Sequence, residues 1–391
     1  MASGNGKNGM DGRNVTLMGA TSMMNDTGSE MIAPILPLLM ASLGANGFII
    51  GVLGGLRDSI SSLMSIYFGR MSDKIGKRKP FVVSGYLLSG IFKLFLFLST
   101  TWPVALVSAS LERMSKAVRN APRDALISES VTKGNLGKGF GIHRAMDTLG
   151  AVIGSVLALC FVYYLKLDFG TIILIASVLA FFSIVPLFFV REGPPTGKLN
   201  GNGRRLENER LNRLIMIITV FSLGNISYMF LMLQAQQLFP KDLQIVGPMA
   251  LYILFNIAYA ALAIPFGRFA DRFGKKRTLD IGYLLLFLTM FGFIFANSLP
   301  LYALLFMLFG AAYAIIETEQ SAVVSSMSED EERGTALGKY YTYMGVSKLI
   351  GSSVAGFVWT INPVYTFVYS SALTAAGAFM LFGYTHPTKK V

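Results

Sequence analysis

Cysteine, histidine and tryptophan are scarce, with one Cys, two His and two Trp in 391 residues. A lone Cys160 makes no internal disulfide and leaves the redox compartment open. Two histidines and one cysteine are too few for a soft-metal site. No glycine-rich phosphate loop of the ATP-binding kind occurs, and no Ser-His-Asp or metalloprotease pattern. The chain is therefore expected to be no enzyme and to need no cofactor, no metal and no ATP. Charge is sparse as well: 14% of residues are charged and 53% hydrophobic, with a mean hydropathy of +0.55. That balance excludes an ordinary soluble domain.

What is present in quantity is apolar sequence. Runs of about twenty residues recur with short polar breaks, each long enough to cross about 30 Å of hydrocarbon as a helix. Twelve are expected, over 14–43, 47–69, 80–100, 102–128, 138–165 and 169–191, then 213–239, 244–268, 278–297, 300–327, 334–360 and 363–385. Backbone amides must be satisfied within the bilayer, and these runs are too long and evenly apolar for barrel strands. The fold class is an all-α membrane protein with twelve transmembrane helices. The polar tail MASGNGKNGMDGRN lacks the apolar core of a cleaved signal peptide, so the first helix is expected to stay.

The formal net charge of +12 does not point to nucleic acid, because the 34 Lys and Arg lie in alternate loops. Lys74, Lys77, Arg78 and Lys79 follow the second span, Arg204, Arg205, Arg210 and Arg213 the sixth, and Arg268, Arg272, Lys275, Lys276 and Arg277 the eighth. The intervening loops near 43, 99, 297 and 361 carry essentially none. The positive-inside rule then puts both termini in the cytoplasm, in a multi-pass protein of the cell membrane.

An internal repeat divides the chain. GRMSDKIGKRKPFVVSGY begins at Gly69 and GRFADRFGKKRTLDIGY at Gly267, 198 residues on. GKGFG from Gly137 pairs with GTALG from Gly334, and Gly154-Ser155 with Gly351-Ser352. One six-helix unit is used twice. Residues 1–191 are expected to form the first bundle, 192–212 a Gly-, Pro- and charge-rich cytoplasmic linker, and 213–391 the second bundle.

Over nearly its whole length the chain resembles the major facilitator superfamily. The resemblance rests on the Gly-x-x-x-Asp-x-x-Gly-basic-basic loop after the second span, Gly69, Asp73, Gly76, Lys77 and Arg78, and on its copy Gly267, Asp271, Gly274, Lys275 and Lys276. It implies two pseudo-symmetric six-helix bundles around a central cavity, and a conformational latch at these loops. The gating set is then Gly69, Asp73, Gly76, Arg78, Gly267 and Asp271, with Arg119 and Asp124 on the fourth span. LERMSKAVRNAPRDALIS resembles the family's second motif, a membrane-embedded arginine followed by small residues. Arg113 takes the arginine's place and Ala117 stands where glycine is usual. The fifth span partly resembles the antiporter motif, with Ser155 replacing its proline.

At about 1.5 Å per residue, Asp26, Arg57, Asp58, Arg113 and Asp147 fall near mid-membrane, Glu30 a turn further out, and Lys116, Arg119, Arg144 and Glu317 further in. Charge at that depth costs about 2.5 to 3.5 kcal/mol per residue, so it needs partners or a watery cavity. Asp26, Glu30, Asp58, Arg113 and Asp147 are the expected proton-coupling residues, because a fixed cation lowers a neighbouring carboxylate's pKa and its withdrawal lets the site take a proton. The plainer alternative is that Arg113 with Asp147, or Arg57 with Asp58, only pins helices together. His143, near the cytoplasmic end, reads as structural; Lys93 and Lys348 stay open. The second half is neutral where the first is charged, and offers Asn225, Tyr228, Gln234, Asn256, Tyr259, Glu317, Tyr340 and Tyr343 for substrate contact.

The expected function is secondary active transport by alternating access, with proton-coupled export of small amphipathic molecules. The alternatives are a proton-coupled symporter for uptake of a polar or anionic solute, and a lipid or lysolipid translocator. A receptor on the same fold is a reading of another class. The expected partners are a small-molecule substrate, protons and the lipid bilayer, with no nucleic acid, and the chain is expected to act as a monomer.

Overall fold

The computed structural model describes residues 11–131, 136–192, 209–328 and 333–385. The N-terminal tail and most of the expected linker lie outside the described residues. Within them the chain is helical and no strand occurs. The first half comprises α1 (Asp11–Ile32), α2 (Leu36–Ser42), α3 (Gly47–Ile75), α4 (Lys79–Phe97), α5 (Trp102–Ser130), α6 (Leu136–Tyr163), α7 (Phe169–Phe182) and α8 (Val185–Phe188). The second comprises α9 (Glu209–Gly224), α10 (Tyr228–Gln236), α11 (Val246–Phe273), α12 (Lys275–Phe295), α13 (Leu299–Ser326), α14 (Arg333–Ile361) and α15 (Pro363–Thr385).

These helices make the twelve expected spans, three of which are interrupted. The first breaks between α1 and α2 at Ala33-Pro34-Ile35, where Pro34 supplies no amide donor. The sixth breaks ahead of Pro186, between α7 and α8. The seventh breaks at Asn225-Ile226-Ser227, and the Ser227 side chain then caps α10 by accepting from the Met229 amide. Pro265 lies inside an unbroken α11, as Pro122 does in α5. Ten helices among the described residues are long and apolar enough to cross a membrane. The helices α1 and α5 are not among them, and these two carry the densest polar stripes.

The chain divides into two compact units, one of residues 1–39 with 60–200 and the other of residues 40–59 with 201–391. The end of α2 and the first half of α3 group with the second unit. The glycines of α3 explain this: Gly51 abuts Ser352 and Gly356 of α14, and Gly55 lies against the backbone of Leu349. Small residues in series let two helix backbones approach, which in lipid replaces the missing hydrophobic drive for association.

Inside each unit the same pairs of helices pack. In the first, α1 packs on α6 and α7, and α4 on α5 and α7; in the second, α9 packs on α14 and α15, and α12 on α13 and α15. Glycine places the contacts: Gly154 of α6 meets the Thr27 carbonyl of α1, and Gly351 of α14 meets the Leu223 carbonyl of α9. Around them Val15, Met18, Val82, Tyr86, Leu126, Ile127 and Leu187 form a closed apolar cluster in the first unit.

Candidate functional site

Helical spacing aligns polar residues into stripes in the first unit. Asn25, Asp26 and Ser29 follow Ser22 at three, four and seven residues on α1, and Lys116, Arg119 and Arg123 follow Glu112 at four, seven and eleven on α5. Residues so spaced share one helix face. α4 adds Tyr86, Ser89 and Lys93, and α6 adds His143 and Asp147.

Two linked clusters result. In one, the Lys93 ammonium, fully buried, lies 3.4 Å from the Glu112 carboxylate, which is 5% exposed. Lys93 also donates to Ser89 at 2.6 Å and Asn25 at 3.4 Å, while Ser29 and Ser89 donate to Glu112 at 3.2 and 3.3 Å. Asn25 in turn donates to Asp26 at 3.4 Å and so joins the two clusters. In the second, Asp26 faces Lys116 Nζ at 3.5 Å and Arg119 Nη2 at 3.8 Å. Arg119 is 1% exposed and lies 4.5 Å over the Tyr86 ring, a cation–π contact. Ser22 donates to Asp147 at 2.6 Å and accepts from Arg123 at 3.5 Å, and Arg123 also binds Asp124 at 3.0 Å.

The expected residues fall into place unevenly. Asp26 and Asp147 both enter this network. Arg113, expected at its centre, lies against its neighbour Glu112 at 3.8 Å. Arg119, expected at the gate, is a buried partner of Asp26. Glu30 is half-buried on α1. Asp58 belongs to the part of α3 that groups with the second unit. Glu112 and Arg123 are absent from the expected set, although one acid and four cations within the twelve residues from Glu112 to Arg123 were a signal in the sequence. His143 is 4% exposed.

The repeated loops are alike in backbone. Gly76 and Gly274 have φ of 72° and 99°, a region other residues rarely adopt, and their amides donate to Ser72 and Ala270 at 2.9 Å. Side chains differ. In the first unit Arg78 pairs with Asp73, donates to Ser72 at 3.1 Å and reaches Glu129 at the end of α5 at 3.1 Å. Burial works against the guanidinium's charge, but Asp73 and Glu129 outweigh it and raise the pKa of Arg78 above its ordinary value. A side chain at Gly69 would meet Ala121 at 3.1 Å, whereas Gly267 faces open space and Asp271 is exposed.

The second unit presents rings. Tyr252, Phe255 and Tyr259 share a face of α11, and Phe309, Tyr313 and Glu317 a face of α13. Tyr228 lies 5.1 Å from Tyr252 ring to ring, and Phe255 6.0 Å from Tyr313. Tyr259 donates to Glu317 at 2.9 Å and Tyr313 to Asn225 at 3.0 Å. Gln234 and Asn256 are half-buried and Tyr343 is exposed. Tyr340 is 3% exposed and donates to Gln320, which donates to Tyr283. Among the described residues no group of three His, Cys, Asp or Glu could hold a metal ion.

Two repeated helical units, one lined with buried charge and one with aromatic rings, define a multi-pass membrane transport protein rather than an enzyme. The family model of the Major Facilitator Superfamily matches residues 18–249 and 241–391. An uncharacterized MFS-type transporter of Methanocaldococcus jannaschii is 47% identical over 377 residues, covering 95% of this chain and 94% of that one. The multidrug resistance protein MdtH of Blochmanniella pennsylvanica is 23% identical, over 87% of this chain and 84% of its own length. A crystal structure of a mutant of the nucleoside transporter NupG superposes with a TM-score of 0.80 at 14% identity, covering 95% of this chain and all of that one. The chain belongs to the major facilitator superfamily and is a transporter of that family.

Proposed function

We propose that the protein is a proton-coupled secondary transporter that exports small amphipathic molecules by alternating access, with Asp26 as the group that exchanges the proton. The observation carrying this reading is the setting of Asp26: a buried carboxylate at membrane depth between Lys116 and Arg119, at 3.5 and 3.8 Å. Two cations on a neighbouring helix are partners that a rearrangement of the helices can bring to the carboxylate or take away. A change in that contact gives the two conformational states different proton affinities, which is what coupling requires. Asp147, held by Ser22 beside Arg123, is the second acid. Export is favoured by the similarity to a protein named for multidrug resistance, and the ring-lined face of the second unit suits the apolar part of such a substrate. In this reading the chain works as a monomer in the cell membrane with both termini in the cytoplasm, and the Asp73–Arg78–Glu129 cluster stabilises one of the two states.

Uptake of an anionic solute is the second reading, favoured by Arg119, whose Nε and Nη1 are buried without a hydrogen-bond partner. One experiment separates the two. Purified protein in liposomes is given an imposed pH gradient, and the flux of ethidium and of a small organic anion is followed. Export predicts dye movement against the proton flow, lost in Asp26→Asn; symport predicts anion movement with it. Full gradient-driven flux in Asp26→Asn would remove Asp26 from the mechanism.

A further inference from the structure

In the second unit an open groove of about 660 Å³ runs between α12 and α15. One bank is Ile281 and Leu284, a turn apart on α12; the other is Phe379 and Phe382 on α15. Ala375 and Ala378 leave the space between them, and Phe287 closes the deep end. Leu284 is 50% exposed, Phe379 80% and Phe382 56%, so neither bank is covered by another helix. The mouth is polar, with Arg277 at the rim and Asp280 one turn in.

Three features of the groove select its occupant. From Arg277 to Phe287 is ten residues, about 15 Å of helix, or half of a hydrocarbon core about 30 Å thick. The groove is therefore one leaflet deep, with its charge at the headgroup level. Lys276, whose ammonium lies 5.0 Å over the Tyr384 ring near the end of α15, marks the same level. Next, α12 begins on the wrong electrostatic footing: Lys275, Lys276 and Arg277 occupy its first turn, no acid is there, and Gly274 gives no side-chain cap. A helix N-terminus carries partial positive charge and unsatisfied amides, so three cations on it call for an anion. The positive-inside rule accounts for basic residues in this loop, but it does not satisfy the helix end. Finally, Arg277 and Asp280 are the charged residues that line the groove, and Lys276 beside Tyr384 adds a second cation near its mouth.

We propose that this groove binds one phospholipid of the leaflet on the side of the basic loops, its phosphate at Arg277 and the start of α12, one acyl chain between the Ile281–Leu284 and Phe379–Phe382 banks. The site is independent of the proton-coupling cluster and of the direction of transport. Its consequence is that anionic lipid stabilises the second unit through the α12–α15 pair.

Native mass spectrometry of the full-length protein in detergent, titrated with phosphatidylglycerol, tests this. The wild type retains one lipid more tightly than any other. Ala378→Phe fills the groove and loses that lipid. Ala375→Phe does the same at the deep end, so misfolding of one variant does not decide the matter. Arg277→Gln weakens retention about tenfold, the loss of one charge-assisted hydrogen bond, and phosphatidylglycerol raises the melting temperature of the wild type but not of Ala378→Phe. Unchanged lipid retention in both filled variants would overturn the proposal. So would equal retention by Arg277→Gln and wild type, or thermal stabilisation by inorganic phosphate equal to that by the lipid.

Discussion

Replacing Glu112 by Gln leaves the Lys93 ammonium with no counter-charge at 3.4 Å and only the Ser89 hydroxyl at 2.6 Å and the Asn25 carbonyl at 3.4 Å to accept from it. At an effective dielectric of about 20, unit charges that far apart attract by about 5 kcal/mol. Both groups are nearly without solvent contact, so most of that attraction offsets their desolvation, and losing one partner costs about 3 to 5 kcal/mol. The reverse change, Lys93→Met, costs less, because Glu112 keeps the Ser29 and Ser89 hydroxyls at 3.2 and 3.3 Å and Arg113 at 3.8 Å. Removing both charges in Lys93→Met/Glu112→Gln brings stability back to within about 1 kcal/mol of wild type, since neither buried charge is then left alone. Denaturant titration of the purified protein in mixed micelles measures the cycle. The expected coupling is about 3 kcal/mol, with Glu112→Gln the less stable single variant. If the double variant lost the sum of the two single losses, Lys93 and Glu112 would not be acting as a pair and the cluster would need redrawing.

Gly76→Ala places a side chain at a φ of 72° and should destabilise the first unit by about 1 to 2 kcal/mol, whereas Gly267→Ala, with open space around it, should leave the melting temperature within a degree. Equal effects of the two would contradict the backbone assignment. Gly154→Val and Gly351→Val each drive a side chain into a neighbouring helix's carbonyl, at Thr27 and Leu223. Both should lower the yield of folded protein sharply, by a packing loss above about 3 kcal/mol; monodisperse, wild-type-like elution of either variant in size-exclusion chromatography would argue against the close helix contact.

Much of the fold was legible because lipid makes local rules global. Each span must satisfy its own backbone, so an apolar run of the right length is a helix whatever it packs against. The repeat, read from Gly69, Asp73 and Gly76 against Gly267, Asp271 and Gly274, foretold two equivalent units, and Gly76 and Gly274 do share one backbone turn. Helix breaks were less legible: Pro34 ends α1 but Pro265 and Pro122 leave α11 and α5 intact, since packed neighbours decide whether a freed carbonyl is tolerated. Asp26 stood out because it is a carboxylate in an apolar span with no basic residue following it on that helix.

By itself the sequence determined the fold class, the twofold repeat and the candidacy of its membrane-embedded acids, because periodicity and span length act within one helix. Pairing was decided by tertiary structure. Only the packing of α1, α4 and α5 brings Lys93 to Glu112 and Arg119 to Asp26. Only the packing of α13 and α14 spends the Tyr340 hydroxyl on Gln320. The reason is that a side chain's helix face follows from its own sequence, whereas the charge it meets lies on another helix, brought there by glycine contacts between segments that are far apart in the chain.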